Sequence, residues 1–545
     1  MTDQLRGALA AAAERLGHGG IDFVLERPRD AGHGDLATNL AMVVARRDRA
    51  NPRKVAEQLI ASLDLPASLV AKTEIAGPGF INFWLAEDRL AETATGILER
   101  GPDYGRAGTG GGRRINVEFV SANPTGPLHV GHGRQATLGD AIASLLEWTG
   151  WEVTREFYYN DAGVQIGNLA LSTQARIREL AGEPLVIPEG GYHGEYIREI
   201  AEIYRREHPD DPRGDRLDDV RRVAVRELRQ EQDRDLRALG VVFDVYFLES
   251  SLYADGKVEE VVASLRERGA TFEEGGALWL RTTAHGDDKD RVMRKSDGTY
   301  TYFTPDVAYH VTKWERGFRH AVNVQGADHH GTVARVRAGL QALDAGIPPG
   351  YPEYVLHQMV TVMRSGEEVK LSKRAGSYVT IRDLIDEVGI DAVRYFFLMR
   401  KGDSQLVFDV DLAKKQSDEN PVFYVQMAHA RLSGIFRTAE RPAESVTGTL
   451  DLAALPAPQD AALLKELGRF PDLVEKAAEE REPHRVVSYL HELATTVHGW
   501  YHHTRAIGAP EGPATEQARL LLARAARTVL ANGLRILGLS APDRM

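Results

Sequence analysis

The chain has 545 residues, with 67 Lys and Arg against 79 Asp and Glu and a formal net charge of −12. That length exceeds one hydrophobic core, so several domains are expected, and the acidity argues against a general affinity for nucleic-acid backbones while leaving local basic patches free to meet a shaped RNA. The chain has no cysteine, which excludes a disulfide framework and a thiolate zinc site, and it has no apolar run long enough to span a membrane, so a cytoplasmic location is the default.

In chain order, MTDQLRGALAAAAERLG reads as an amphipathic helix without the apolar core and cleavage site of a secretory signal. Arg46, Arg47, Arg49, Arg53 and Lys54 form a basic cluster, with Arg27 and Arg29 shortly before it. The cluster is either a solvated helix face or a patch for RNA. The segment EIAGPGFINFWL is strand-like, and residues 1–110 read as a small α+β domain. PDYGRAGTGGGRR (102–114) is Gly-rich and polar, as a linker would be. INVEFVSA (115–122) alternates as a strand does, NPTGP turns, and HVGHGRQATLGDAIASLLEWTG carries Leu138, Ile142, Leu145 and Leu146 at helical spacing. With the strand-like WEVTREFYY this forms a strand–helix–strand unit. Such units build parallel sheets whose ligands sit at the carboxyl ends of the strands. The expectation for 111–400 is therefore an α/β, Rossmann-like, doubly wound catalytic domain. Within it, about 170–290 is expected to be a mostly helical, charged insertion, typified by DRLDDVRRVAVRELRQEQDRDLRALG. HAVNVQ (320–325) and YVLHQMVTVM (354–363) return as strands. Residues 401–545 read almost wholly as amphipathic helix, an all-α bundle.

The chemistry concentrates at two places. His129 and His132 open the helix after the NPTGP turn. There a helix start offers backbone N–H groups to an anion, Gly131 and Gly133 permit close approach, and imidazoles donate to phosphate oxygens. The alternative is a pair of helix-capping histidines. Two histidines alone do not make a metal site, and no metal site is expected. KLSKRAG (370–376) brings two ammonium groups, Lys370 and Lys373, on a Gly-ended loop suited to a triphosphate, although alone it also reads as a solvated turn.

In this order the two motifs resemble those of the class I aminoacyl-tRNA synthetases, usually summarised HIGH and KMSKS and here HVGH and KLSKR. The stretches VEFVSANPTGPLHVGHGR, YYNDAGVQIGNLA, TYFTPDVAYH, NVQGADHHGTVAR, KLSKRAGSYVT and DENPVFYVQMAHARL narrow the resemblance to the arginyl-tRNA synthetase family. AGHGDLATNLAM, GPGFINFWL and the closing DRM are also similar to it. The similarity covers nearly the whole chain and is weakest between about 170 and 290.

The resemblance implies ATP-dependent formation of arginyl-adenylate with release of pyrophosphate, then transfer of arginine to the 2′-hydroxyl of the terminal adenosine of tRNA(Arg). Mg²⁺ would travel with the ATP. It implies His129 and His132 at the α-phosphate, Lys370 and Lys373 at the β- and γ-phosphates, and Gly131, Gly326 and Asp328 elsewhere around the ATP. L-arginine would meet Glu118, Tyr302 and Asp306, with Asn123 near its backbone amine and carboxylate. Ala327 stands where some relatives have glutamine and receives no role. The anticodon would be read from the bundle by Tyr424, Gln426, Arg431 and Trp500, with Tyr489 and Tyr501 nearby. The N-terminal domain would touch the outer corner of the tRNA. A monomer without hydrolytic editing is implied, as is a need for bound tRNA before arginine is activated. Rival readings are a nucleotidylyltransferase of the same superfamily, a synthetase for another amino acid, and a catalytically dead tRNA-binding relative. The first lacks a long helical tail, the second is disfavoured by the acidic substrate set, and the third by the intact His129, His132, Lys370 and Lys373.

Overall fold

The computed structural model describes residues 2–26, 28, 31–66, 68–161, 163–369 and 378–545. At its centre lie five parallel strands: β1 (Arg114–Glu118), β2 (Glu152–Tyr159), β3 (Val245–Leu248), β4 (His320–Gly326) and β5 (Glu353–His357). Their order is β5-β4-β1-β2-β3, so the chain winds outward from β1 first one way and then the other. The reversal between β1 and β4 is the crevice where doubly wound sheets bind ligands.

Helix α1 (Val130–Trp148) follows β1. Its predicted apolar stripe is buried, but so is nearly the whole helix, because the sheet covers one side and the C-terminal bundle the other. Gly139 lets it lie flat on the sheet: a Cβ there would stand 2.2 Å from the Phe119 ring. Helix α2 (Leu217–Ala238) flanks the β3 side, and α3 (Phe303–Glu315) enters β4.

Several sequence expectations are corrected. The strand expected over 115–122 stops at Glu118. Val120 (φ 69°) and Ser121 (φ 42°) then take left-handed backbone, a strained conformation for a β-branched residue, and turn the chain toward α1. The span 170–290 is not a helical insertion alone. It contributes β3 to the main sheet, and its strands 271–274 and 277–280 form a three-stranded antiparallel sheet with 291–294 just beyond it. YVLHQMVTVM is two strands: after β5 the chain leaves the main sheet, and Val360–Arg364 pairs with Leu406–Asp409 in another. The expected linker is packed at its start. Tyr104 is buried, its ring stacks near Phe470, and a Cβ on Gly105 would meet that ring at 2.4 Å.

The N-terminal unit packs the helices Thr2–Arg15, Leu40–Asp48 and Pro52–Ala61 on a four-stranded antiparallel sheet, around a core that includes Leu9, Val44, Leu59, Ile81 and Phe83. Arg46, Arg47, Arg49, Arg53 and Lys54 are exposed at the junction of the second and third helices, while Arg27 and Arg29 lie outside the described residues. At the other end, α4 (Ile390–Leu398) leads into a bundle of α5 (Pro421–Thr438), α6 (Pro458–Leu467), α7 (Phe470–Glu480), α8 (His484–His503) and α9 (Pro513–Ile536). Among the described residues no helix is long and apolar enough to cross a membrane.

Candidate active site

At the carboxyl end of β1 the chain turns through Asn123–Leu128 and starts α1 at His129. The expectation of free backbone N–H groups there is corrected. Val130 N–H donates to the Val379 carbonyl at 3.1 Å, Gly131 and His132 N–H donate to His129 Nδ1 at 3.0 and 3.3 Å, and Gly133 N–H donates to the His129 carbonyl. His129 N–H in turn donates to His132 Nδ1 at 3.4 Å, a reciprocal cap built from two imidazoles stacked 3.7 Å apart. Both Nδ1 atoms accept, so in each neutral ring the proton sits on Nε2. Burial pushes both rings toward the neutral form, and His132 is pushed further by the charges of His129 and His357. The imidazole N–H groups outside this cap are thus the two Nε2–H groups, with the backbone of the first turn already satisfied.

Gly131 gives the His129 ring room, since a Cβ there would meet the ring at 2.8 Å. Gly133 is closed in by Phe397 and Ile381. A cavity of about 720 Å³ opens in front of the two imidazoles, lined among others by Asn123, Thr125, Gln165, Tyr196 and Tyr378. A ligand of nucleotide size fits that space. A larger cleft of about 1110 Å³ lies between the N-terminal unit and α7 and contains none of the sequence-derived site residues.

The second motif, with Lys370 and Lys373, lies outside the described residues. Its downstream end is described and meets the first motif directly. His129 and Thr380 form a β-bridge, Ile381 N–H donates to the Leu128 carbonyl at 2.9 Å, and the Tyr378 hydroxyl donates to the Pro127 carbonyl at 3.0 Å. Thr380 and Asp383 form a capping box that fixes this junction. Buried Arg134 ties α1 to the loops after β5 and α4 through the carbonyls of Gln358 (2.7 Å) and Lys401 (3.0 Å).

On the other face of the sheet, α3 brings up Asp306, and Glu249 opens the short helix that follows β3 directly. Glu118 stands with them at the end of β1. Burial raises Asp306 to about 8, aided by the charges of Glu249 and Glu118 and opposed by Arg335. Glu249 is also raised by burial, although the Tyr158 hydroxyl donates to it at 2.8 Å. Glu118 differs. It is 4 % exposed, Lys313 Nζ donates to its Oε2 at 2.6 Å, and the Ser121 hydroxyl donates to its Oε1 at 2.9 Å. Both oxygens of Glu118, the carboxylate expected to meet arginine, thus also accept hydrogen bonds from inside the protein. Tyr302 begins α3 one turn before Asp306 and is 65 % exposed. Asn123 is half-buried and donates to Gln165. Gly326 closes β4, where a Cβ would lie 2.4 Å from Asp328 Oδ1, and Asp328 is exposed.

The sequence reading missed Glu249, Tyr158, Lys313, His310 and Asn323. Asp306, His310 and Lys313 follow one another at i, i+4 and i+7 on α3, which was a readable signal. Glu249 was hidden because the strand that presents it was not recognised.

In the bundle two expected base-reading residues are corrected. Trp500 is 1 % exposed and donates to Asp460 at 2.7 Å, a core position with no face left for stacking. Gln426 is buried, and its amide donates to Asp391 and to Ser540. Tyr489 is likewise core. Tyr424 and Arg431 stay half-exposed beside His498, with Arg431 Nη1 2.7 Å from its Nδ1, and Tyr501 is exposed. Among the described residues no group of three or more His, Asp or Glu side chains is placed to hold a metal ion.

Comparison with known proteins adds three family matches. "Arginyl tRNA synthetase N terminal domain" matches residues 2–85, "tRNA synthetases class I (R), catalytic domain" matches 94–433, and "DALR anticodon binding domain" matches 425–545. The arginine–tRNA ligase of Geotalea daltonii is 57 % identical over 534 residues, covering 96 % of this chain and 95 % of that protein. That of Geobacter metallireducens is 54 % identical over 567 residues and covers 100 % of both. The solved Thermus thermophilus arginyl-tRNA synthetase superposes with a TM-score of 0.78 over 100 % of both chains at 24 % identity, a likeness of fold.

Proposed function

The chain belongs to the arginyl-tRNA synthetase family, and from that premise we propose how its residues share the work of attaching arginine to tRNA. The reaction of the family has two steps. The arginine carboxylate attacks the α-phosphorus of ATP, giving arginyl-adenylate and pyrophosphate, and a ribose hydroxyl at the tRNA 3′ end then takes the arginyl group. We assign that hydroxyl as the 2′. No protein nucleophile is needed, so the protein's task is positioning and charge stabilisation.

The Nε2–H groups of His129 and His132 donate to the α-phosphate oxygens, on which charge grows during attack. Neutral imidazoles fit this task, since they donate without releasing a proton to the reacting oxygens. Lys370 and Lys373 answer the β- and γ-phosphates. Gly326 and Asp328, at the end of β4, face the ribose side of the nucleotide. Mg²⁺ would be carried by phosphate oxygens and water and would supply further neutralisation. Asp306 and Glu118, with Glu249 beside them, receive the guanidinium, with Tyr302 at the mouth and Asn123 toward the substrate's backbone end. A raised carboxylate beside two others is what a cationic pocket looks like before its cation arrives. Tyr424, Arg431 and Tyr501 are the exposed groups of the bundle suited to anticodon bases.

One observation carries this reading: Val379–Ile381, immediately after the lysine-bearing segment, is hydrogen-bonded along Leu128–Val130. The segment that carries the lysines is therefore followed directly by a stretch anchored to the turn that carries the imidazoles, which supports one triphosphate meeting both motifs. The test is to incubate the protein with ATP, Mg²⁺, total tRNA and each amino acid in turn. Arginine alone should become attached, and attachment of lysine at a comparable rate would remove the pocket assignment.

A further inference from the structure

The turn that delivers His129 is held mainly from outside. Pro124 and Pro127 carry no N–H, so it cannot build a hydrogen-bond ladder of its own. Its carbonyls are met by side chains from distant segments. Gln232, buried on α2, donates its amide to the Asn123 and Gly126 carbonyls at 3.1 and 2.9 Å. The Tyr196 hydroxyl, from the helix Glu195–Glu207, donates to the Thr125 carbonyl at 2.9 Å. The Tyr378 hydroxyl donates to the Pro127 carbonyl at 3.0 Å. Gln232 and Tyr196 come from the span expected as an insertion, and Tyr378 from the stretch that follows the lysines. The two hydroxyls converge over Gly126, where a Cβ would lie 2.9 Å from that of Tyr378 and 3.1 Å from that of Tyr196. The Tyr378 ring also meets the His129 ring edge-on, with centroids 5.7 Å apart.

Resting on the reading that His129 and His132 hold the α-phosphate, we propose that Tyr196 and Tyr378 are positioning residues for adenylate formation. Their hydroxyls, supplied by two separate parts of the chain, fix the turn whose next residue is His129. Neither hydroxyl touches a reacting atom. Their influence passes through the carbonyls of Thr125 and Pro127, which precede His129 by four and two residues.

The imidazoles stabilise the attack only while their Nε2–H groups stay at hydrogen-bond distance from oxygens that gain charge, and a misplacement of about 1 Å costs on the order of 10² in rate. Both tyrosines line the cavity in front of the imidazoles. A carbonyl that loses its donor at such a wall takes water in its place, and the turn shifts to suit. The helix Glu195–Glu207 therefore takes part in the first chemical step without bringing a group to the reacting atoms.

The experiment follows the pre-steady-state release of pyrophosphate by the full chain, with arginine and tRNA saturating and ATP varied. Tyr196→Phe and Tyr378→Phe keep the rings and should each lower the maximal rate about tenfold, while the ATP concentration giving half that rate moves less than about threefold. A rise in that concentration at an unchanged maximal rate would mean that the hydroxyl binds ATP directly, and it overturns the proposal. A purely structural role would lower the melting temperature or the fraction of active enzyme and leave the rate per active site unchanged, which overturns it equally. A residue acting through His129 has little left to disturb once that ring is gone. Adding Tyr378→Phe to His129→Asn should therefore cost less than about threefold further, and a full multiplication of the two losses overturns the proposal. Gly126→Ala keeps both tyrosines but crowds their hydroxyls off the carbonyls, and it should lose about tenfold as well. Should a tyrosine variant fail to fold, an unchanged rate in folded Gly126→Ala overturns the proposal. His129→Asn alone separates the two readings. If it leaves the rate unchanged, the assignment of the imidazoles to the α-phosphate falls. If it lowers the rate while the tyrosine variants do not, only the role of the tyrosines falls.

Discussion

At the scale of single residues, His129 shows how one ring serves the fold and the chemistry together. Its Nδ1 caps α1, and the function proposed above gives its Nε2 to the ligand. The two functions separate by substitution. Asparagine is a good helix cap but lacks a donor at the position of Nε2, so His129→Asn should keep the melting temperature while lowering the rate of adenylate formation by about 10²–10³. His129→Ala should lose both, with about 1 kcal/mol of stability. Equal thermal losses in the two variants would show that the ring's capping role has been misread. Asp306 gives a second case, through its elevated value of about 8. Its folded value lies above the unfolded 3.8, so it contributes stability that is present below pH 4 and lost as the pH rises through 8. Arginine binding has the opposite preference, for the ionised form. The arginine KM should therefore climb as the pH falls below 8, approaching about tenfold per unit, and Asp306→Asn should flatten that climb. A wild-type arginine KM constant between pH 6 and 8 would remove Asp306 from the guanidinium site.

At the scale of elements, what was legible depended on how local the causes were. The helix after His129 and the strands β2 and β4 carry their own periodicity and form where their patterns lie, β1 forms over the first part of its pattern, and the strand-like EIAGPGFINFWL is split by a turn between two paired strands. β3 was invisible because VYFL is only four residues long between charged helices. It becomes a strand by pairing with β2, a partner far back in the chain. YVLHQMVTVM reads as one strand because the pattern continues across Gln358 and Met359, yet the chain changes sheets there. Arg134 holds the Gln358 carbonyl from α1, a contact no local pattern announces. Candidate site residues followed the same division. His129, His132 and Asp306 were marked by motif and spacing, whereas Glu249 waited on recognition of its strand. Trp500 and Gln426 were misplaced because an aromatic or amide at helical spacing carries no mark of which way its helix faces.

At the scale of the whole molecule, the question is what makes three units move as one. Two candidates differ in strength. Lys465 on α6 reaches Asp35 of the N-terminal unit at 2.8 Å, but the lysine is about one-third exposed, and partly solvated pairs of this kind contribute about 1 kcal/mol or less. Arg394 on α4 is 1 % exposed and joins more distant parts. Its Nη2 donates to Asp140 of α1 at 2.6 Å, its Nη1 to the Leu239 carbonyl after α2 at 2.9 Å, and its Nε to the Leu537 carbonyl after α9 at 2.9 Å. Gly538 follows with φ +68°, and any Cβ there would strike the guanidinium, so the bundle's last turn is shaped around this one side chain. The tail beyond it is held in turn, with Ser540 N–H donating to Asp391 and Gln426 donating to Ser540. Arg394→Met keeps the volume and removes all three donors at once. Asp140 retains Arg155 at 3.2 Å, so the expected cost is the lower end of a broken buried pair, about 3 kcal/mol. The loss falls on the joint between the bundle and the histidine helix, and neither unit's own core is touched. Calorimetry should therefore show the unfolding transition broaden or split, with the bundle melting apart from the sheet. A single transition with an unchanged midpoint would mean that the apolar contact of α1 with α7 and α9 holds the units together without Arg394.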